Sequence, residues 1–421
     1  MGKAAILLVA GYSLLLLMSG LTMSDVATQA LDNSVRYYDA INVRNIAISG
    51  ANMACNYVFT NPPWVFGNPW WAGTASPVQF GGGQYTITVD STSSIDPVTG
   101  DRRVTITSVG RYRDSTHVVR LIMRPSNFAK FALYAGTTAA MAAYWETGDS
   151  VFGPVHSQGH LKVSGRPYFG GKVTTRNGVD STSYPGGPHH PTFMAGLENG
   201  ISIPMNRSFN RLSEAAQSGG RFITGVGGDL YLHLKGDSVT WHRGSDPDTT
   251  TYIPDFAPNG ALVLQRGNIH LKGVLDGRLT IGALDSSGGT SRGRIILDDD
   301  IRYQTDPRVD PSSDDVLGLV AYNDVNIDGD KTKSNFHMQA SIFAYKRGVT
   351  VEGYNSRTPG NLYTLGGWIV ENVFPTSNGV PLGNAGSKGF KASVLFDERF
   401  RRISPPYFPT TALYEVLAWY E

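Results

Sequence analysis

The pattern of apolar and polar positions changes along the chain, and its first feature is a long uncharged run. Residues 4–24 (AAILLVAGYSLLLLMSGLTMS) carry no charge. A helix of that length, at about 1.5 Å per residue, crosses a hydrocarbon core of about 30 Å. Lys3 precedes the run and Asp25 follows it, so the positive-inside bias predicts that the bulk of the chain is exported. A cleaved secretory signal peptide is the alternative. The predicted membrane anchor comprises Ala4, Leu7, Leu8, Leu14, Leu15, Leu16 and Leu17.

The residues after this run keep a helical pattern. From Ala27 onward, apolar side chains recur at spacings of four, seven, three and seven residues, and charged residues fall on the opposite side. No proline occurs before Pro62, so one continuous helix from about residue 4 to 57 is predicted. A tether followed by a separate helix is the alternative, because Gly20 and Gly50 weaken a helix. The face predicted to pack on a globular head consists of Leu31, Tyr38, Ile41 and Ile48.

A change in composition follows the helix. Residues 61–83 are rich in Pro, Gly and Trp, which marks a boundary. Three alternating runs then cover residues 84–125 and predict an antiparallel β-meander. The linker and this small β domain together occupy residues 58–125. Three tryptophans in the linker are expected to supply buried area, with stacking on carbohydrate as the alternative; they are Trp64, Trp70 and Trp71.

The remaining residues, 126–421, contain many short apolar pairs separated by turn glycines and asparagines. A short helix is expected near residues 128–144. The strand density predicts a β-solenoid, in which each coil buries a small face on its neighbours. The spacing follows no fixed period, so a β-sandwich is the alternative. The apolar pairs are Leu262 with Leu264, Ile269 with Leu271, Leu279 with Ile281, Ile295 with Leu297, Val325 with Ile327, and Val349 with Val351.

Charge and cysteine content remove several classes of protein. The chain has 36 Lys and Arg against 35 Asp and Glu, a net charge of +1, so no overall positive field favours nucleic acid. Its single cysteine, Cys55, excludes an intrachain disulfide framework and a zinc site built on cysteines.

An acidic region is the main candidate for chemistry. Asp298, Asp299 and Asp300 are consecutive, and further aspartates follow up to residue 315. Such carboxylates suit Ca²⁺, which takes several oxygen ligands, or the carboxylate pair of a glycoside hydrolase. On a regular strand, however, Asp299 would point away from its neighbours, and Asp-Pro steps usually start turns. A solvated, turn-forming region is therefore the favoured interpretation, with no cofactor. The weak metal candidates are Asp298, Asp300 and Asp306.

Several blocks of the sequence resemble known bacterial proteins. The start of the chain (KAAILLVAGYSLLLLMSG, then NVRNIAISGANMACN) resembles type IV pilin-like proteins of the PilX group. The blocks GPVHSQGHLKVSGRPYFGGKV, GRIILDDDIRYQTDPR, DDVLGLVAYNDVNI, SIFAYKRGVTVEGYN and YEVLAWYE are similar to an uncharacterised envelope family that joins such a helix to a β-solenoid. The resemblance is weakest over residues 176–255, which look like a variable insertion. It implies prepilin-type cleavage after Gly2. Leu7 would then occupy the fifth position, where major pilins carry Glu.

These observations together lead to one functional hypothesis. We expect a minor-pilin-like structural protein without enzymatic activity, anchored in the inner membrane with its bulk exported to the periplasm or the cell surface, or assembled into an extracellular filament. Its expected partners are the membrane, further copies of itself or a pilus-like or secretion-like assembly machine, and a glycan; its expected role is appendage assembly or adhesion. The alternatives are a β-helix enzyme acting on polysaccharide and a noncatalytic glycan-binding surface protein.

Overall fold

The computed structural model describes residues 2–60, 76–90, 96, 100, 103–137, 141, 143–181, 189–205, 208–224, 228–285, 287, 289, 291–380 and 383–421. The chain is mainly β, with one long N-terminal helix, as predicted. It divides into two compact units. The first unit comprises residues 1–95, 102–124 and 413–421, and the second comprises residues 96–101 and 125–412. Three residues of the predicted linker lie outside the described residues: Trp64, Trp70 and Trp71.

The described strands are short and numerous. They are β1 Val78–Phe80, β2 Gly83–Asp90, β3 Val104–Tyr112, β4 Ser115–Asn127, β5 Leu133–Ala135, β6 Ser150–Phe152, β7 Val155–Ser157, β8 Leu161–Lys162, β9 Tyr168–Phe169, β10 Val173–Thr175, β11 Val179–Asp180, β12 Thr192–Phe193, β13 Leu197–Asn199 and β14 Arg221–Thr224. They continue with β15 Leu230–Gly236, β16 Ser238–Arg243, β17 Thr249–Tyr252, β18 Ala261–Gln265, β19 Ile269–Leu275, β20 Arg278–Leu284, β21 Ile295–Tyr303, β22 Val316–Ala321, β23 Val325–Ile327, β24 Asn335–Ala344, β25 Val349–Val351, β26 Gly360–Val370, β27 Phe390–Leu395 and β28 Thr410–Tyr420.

The helices are α1 Gly2–Thr60, α2 Asn210–Gly219 and α3 Ile253–Phe256. The prediction of a short helix near residues 128–144 is wrong over the described residues of that range. A single 3-10 turn, Phe128–Lys130, is followed directly by β5. The Asn127 side chain accepts a hydrogen bond from Ala129 N at 2.7 Å, and the backbone is extended again at Phe131. The Asn127 side chain thus satisfies one backbone amide of the 3-10 turn, and the extended backbone at Phe131 ends that turn.

The first unit contains a five-stranded sheet in the order β1-β2-β3-β4-β28. β1 to β4 pair antiparallel, as the alternating pattern over residues 84–125 indicates. The C-terminal strand joins them: Tyr414 is buried in the core of this unit, and Glu415 pairs with Arg124 at 2.9 Å. The structure thus differs from the predicted division, which kept all of residues 126–421 together, because the last nine residues belong to the first unit.

A stripe of small residues on α1 packs against this sheet. A Cβ at Gly50 would lie 2.6 Å from Ser108 Oγ, and on β3 a Cβ at Gly110 would lie 2.7 Å from Val43 O. The two glycines therefore allow a close approach of helix and sheet that larger residues would prevent. The buried positions of the helix are spaced three and four residues apart, as one helical face requires. They are Val43, Ile46, Ala47, Gly50, Ala51, Ala54 and Val58.

This face differs from the predicted packing face. Leu31 and Tyr38 are 66% and 58% exposed, and Ile41 is 39% exposed. Only Ile48 packs against the core of the unit. The prediction followed the large apolar side chains and passed over alanine and glycine, although the smallest residues permit the shortest distance between a helix and a sheet.

The second unit is built mainly from parallel ladders, although β15, β16 and β17 pair antiparallel. One ladder runs β14, β18, β20, β22, β24, β26, β5, β7, β10, β13. Another runs β15, β19, β21, β23, β25. A further ladder runs β24, β26, β27, β6, β9, β12. Long strands serve two ladders, since the first half of β26 pairs with β27 and its second half with β5.

Aliphatic side chains stack along these ladders. Ile269, Ile295, Val325 and Val349 lie opposite one another in four successive parallel strands, and all are buried. Every member of the six apolar pairs singled out in the sequence is buried in the same way. Inward positions two residues apart on each strand therefore form continuous rows in the core.

Candidate functional site

The exposed part of α1 is the first candidate site. Every residue from Gly2 to Tyr38 is exposed, and the helix is long and apolar enough to cross a membrane by length and composition. The predicted anchor residues all lie in this exposed segment. The helix first becomes buried at Val43, four residues after Asp39, whose Oδ1 accepts a hydrogen bond from Arg113 Nη1 at 3.1 Å. The apolar surface of the first 38 residues is thus available to lipid or to another chain.

The acidic candidates are bonded to histidine, lysine and arginine side chains and to amide groups. Asp298 Oδ1 lies 2.9 Å from His270 Nδ1. Asp300 Oδ1 accepts from Lys333 Nζ at 2.7 Å and from His337 N at 3.0 Å. These donors stabilise the charged form, and they hold the pKa of Asp300 below its usual range against the opposing effect of burial.

Asp306 is also paired. Its carboxylate accepts from Arg308 Nε and from Gln339 Nε2, both at 2.9 Å, and the arginine lowers its pKa to about 2. Within the described part of the chain, no group of three or more His, Cys, Asp or Glu side chains is placed to hold a metal ion. The structure therefore does not gather the three metal candidates, which are Asp298, Asp300 and Asp306.

A β-bulge explains why the aspartates do not alternate as predicted. Leu271 pairs with Leu297 and Gly273 with Ile301, so residues 298–300 lie opposite a single residue of β19. The extra residues break the regular alternation of side chains. Lys333 Nζ consequently reaches both Asp299 and Asp300 at 2.7 Å, although a regular strand would point these neighbours to opposite faces.

A cleft of about 390 Å³ in the second unit contains a carboxyl group whose pKa is raised. Asp149 is buried, and its two oxygens accept from Glu146 N at 2.9 Å and from Ala392 N at 3.0 Å. Burial raises its pKa to about 6, an effect that the backbone donors and nearby Lys391 oppose. Glu146 lies 3.3 Å from Lys391 Nζ. Because each oxygen of Asp149 accepts a backbone hydrogen bond, the side chain joins a turn to β27.

The single cysteine lies on the buried side of α1. Cys55 is half-buried and packs against the core of the first unit. Burial raises the pKa of its thiol, which favours the protonated, unreactive form.

Sequence reasoning passed over residues that only the fold brings together. Arg357 is fully buried and donates to the carbonyl oxygens of Asp328, Gly329 and Asp330 at 2.9 to 3.1 Å. A lone arginine in a turn-rich segment carries no local signal of burial. Asp149 gave no signal either, because one of its two backbone donors, Ala392 N, lies on a strand 243 residues away.

Comparisons with known proteins found one matching family and a similar solved structure. Residues 84–177 match the family described as a domain of unknown function (DUF4900). The structure of the competence-associated pilin ComZ from Thermus thermophilus aligns with 91% of this chain and 97% of its own, at 13% sequence identity and a TM-score of 0.36. No curated protein matches the sequence. Neither likeness assigns an activity to the chain.

Proposed function

We propose that this chain is an exported structural protein of the cell envelope, anchored by the first part of α1 and assembled with other chains in the manner of a minor pilin. One observation carries the proposal: residues 2–38 of α1 are exposed and largely apolar, while the same helix is packed on its own sheet from Val43 onward. An exposed apolar helix of this length is unfavourable in water and needs lipid or protein around it.

The segment between the anchor and the packed part of the helix supports assembly. Leu31, Tyr38 and Ile41 lie on one side of the helix and remain exposed, whereas Asp32 and Arg36 lie on the other side. We infer that the apolar side contacts the equivalent helices of neighbouring copies, because large apolar side chains outside a membrane gain most from being covered.

The second unit would be the exported body. Its parallel ladders, connected by strands that serve two ladders at once, are the arrangement expected of a β-solenoid, and we propose that fold for it. A structural role fits the acidic region, where carboxylates are bonded to lysine, arginine and histidine side chains.

Cysteine cross-linking in cells tests the assembly. In a Cys55→Ser background, Leu31→Cys and Tyr38→Cys should give cross-linked dimers and larger species with a short bifunctional maleimide. Arg36→Cys, on the opposite side of the same helix segment, is the matched control and should give far fewer. Equal cross-linking at all three positions, or monomer throughout, would overturn the proposed contact.

Localisation and processing are tested on the same cells. Surface filaments are sheared off, membranes are collected, and the intact mass of the chain is measured in each fraction. A chain lacking Met1 and Gly2 in the filament fraction would support pilin-like processing. Full-length chain only in membranes would leave an anchored protein without filament assembly, and loss of about 20 to 30 residues would mean a cleaved signal peptide.

A further inference from the structure

The outward side of four neighbouring strands in the second unit has a regular row of side chains. Tyr363 lies opposite Ser393, Ser393 opposite Ser150, and Ser150 opposite Tyr168 in the parallel strands β26, β27, β6 and β9. The residues beside them in the chain, such as Leu362, are buried, so the row itself faces outward. Because neighbouring strands are about 4.8 Å apart, the two tyrosines stand about 14 Å apart with two serines between them.

Both tyrosines are held by neighbouring rings. Tyr363 stacks on His337, with ring centroids 5.1 Å apart and an angle of 28° between the planes. Tyr168 contacts Phe152 at 5.2 Å. Tyr363 and Phe152 remain 40% and 41% exposed, which leaves aromatic surface free to contact a ligand. The rings stand on strands that are paired on both sides, and a rigid support of this kind lowers the entropic cost of binding.

Next to this row lies a cleft of about 320 Å³. Aromatic rings, a serine and two leucines line it: Phe152, His337, Tyr363, Ser393, Leu365 and Leu395. The Ser393 hydroxyl lies 3.3 Å from that of Ser150, which does not itself line the cleft, and Arg308 is a further lining residue. Arg308 is paired with Asp306, so these two charges neutralise each other. Burial lowers the pKa of His337, which keeps its ring neutral at pH 7. The cleft therefore offers flat apolar faces, hydroxyl groups and little net charge.

This chemistry selects among classes of ligand. An anion would lack an unpaired cation at Arg308. An extended peptide binds a sheet by pairing with a free strand edge, but β27 is already paired with β26 on one side and β6 on the other. A sugar ring has an apolar face that stacks on an aromatic ring and hydroxyl groups that bond to serine and arginine.

We propose that this cleft binds a neutral oligosaccharide without cleaving it, with sugar rings stacked on Tyr363 and Phe152 and a sugar hydroxyl group bonded to Ser393. The site goes beyond the structural role proposed above, and it gives the exported body a surface that can hold a glycan. It uses none of the linker tryptophans.

Calorimetric titration of the full chain in detergent tests the site, with maltohexaose, cellohexaose and chitohexaose as probes. The proposal expects saturable binding of at least one probe. Tyr363→Ala should weaken that binding about tenfold or more, because a stacking anchor is lost. Tyr363→Phe keeps the ring and should bind like the wild type. Ser393→Trp should abolish binding by filling the cleft.

Tyr231→Ala is the matched control for loss of a surface aromatic ring. Tyr231 stacks between His242 and His270 on a different ladder of the same unit, and its removal should leave binding unchanged. Circular dichroism and thermal unfolding show whether each variant is folded. If Ser393→Trp fails to fold, Tyr363→Ala decides, since this side chain lies at the surface and is 40% exposed. No binding of any probe, or equal binding by wild type and Tyr363→Ala, overturns the proposal.

Discussion

Ser150 Oγ and Ser393 Oγ lie 3.3 Å apart although 243 residues separate them in the chain. They belong to β6 and β27, which pair in parallel, and beside them Leu133 of β5 lies opposite Trp368 of β26. In the second unit, two strands from an early segment of the chain, β5 and β6, therefore pair with two strands from a late segment, β26 and β27. Contacts of such large sequence separation form slowly, because closing the loop costs entropy before the contacts are made.

The close approach of α1 to its sheet gives a first prediction. Alanine at position 50 would gain up to about 1 kcal/mol of helix propensity, but overpacking commonly costs about 1 to 3 kcal/mol. Its Cβ would lie 2.6 Å from Ser108 Oγ and 2.8 Å from Tyr85 Cδ2. We expect Gly50→Ala to speed hydrogen exchange in peptides covering residues 43–58. Gly20→Ala, with nothing within 4 Å, should leave this exchange unchanged, and equal behaviour of both variants would contradict the prediction.

The buried Arg357 gives a second prediction. Its guanidinium donates to three carbonyl oxygens and lies over the Phe390 ring at 5.2 Å. A lysine cannot reproduce this planar set of donors, so Arg357→Lys should lower the free energy of unfolding by about 2 kcal/mol or more. Guanidinium unfolding of the detergent-solubilised chain measures the change. Arg302→Lys, on a side chain that is 45% exposed, is the control and should cost less than about 0.5 kcal/mol.

The stability of the second unit should depend on pH through Asp149. Its pKa is raised from 3.8 to about 6, so the folded chain binds this proton more tightly than the unfolded chain does. The contribution is fully present below about pH 4 and is lost as the pH rises through about 6. A shift of this size corresponds to about 3 kcal/mol.

Comparison with Asp149→Asn isolates this contribution, because asparagine does not titrate. The wild-type free energy of unfolding, minus that of the variant, should fall by about 2 kcal/mol between pH 4 and pH 7. Subtraction removes the other carboxyl groups, several of which stabilise the chain in the opposite direction. A difference that stays constant with pH would show that Asp149 keeps an ordinary pKa in the folded chain.

The acidic region should stabilise the chain without calcium. Asp300 is bonded to Lys333, Arg302 and the His337 amide, so Asp300→Asn should lower the free energy of unfolding by about 1 kcal/mol. The loss should be the same in millimolar Ca²⁺ and in excess chelator. A thermal midpoint of the wild type that rises with Ca²⁺, and no longer does so in Asp300→Asn, would instead indicate an ion bound at this carboxylate.

The sequence alone determined the elements whose signals are local. The uncharged run and the absence of proline predicted the long helix, since helix formation depends on neighbouring residues. The alternation over residues 84–125 predicted the antiparallel strands, and apolar pairs such as Leu262 with Leu264 predicted short buried strands. Each of these patterns shows which side of a helix or strand is apolar, and that side can be identified without knowing which element packs against it.

The tertiary structure decided which elements meet. In the structure β28 pairs with β4, and β26 pairs with β5. The face of α1 that packs on the sheet is the one rich in alanine and glycine, not the one with large apolar side chains. A β-bulge brings Asp299 and Asp300 to the same lysine. The row from Tyr363 to Tyr168 exists only through the pairing of β26, β27, β6 and β9. Such choices depend on closeness of packing and on register between residues far apart in the chain, and neither leaves a periodic trace in the sequence.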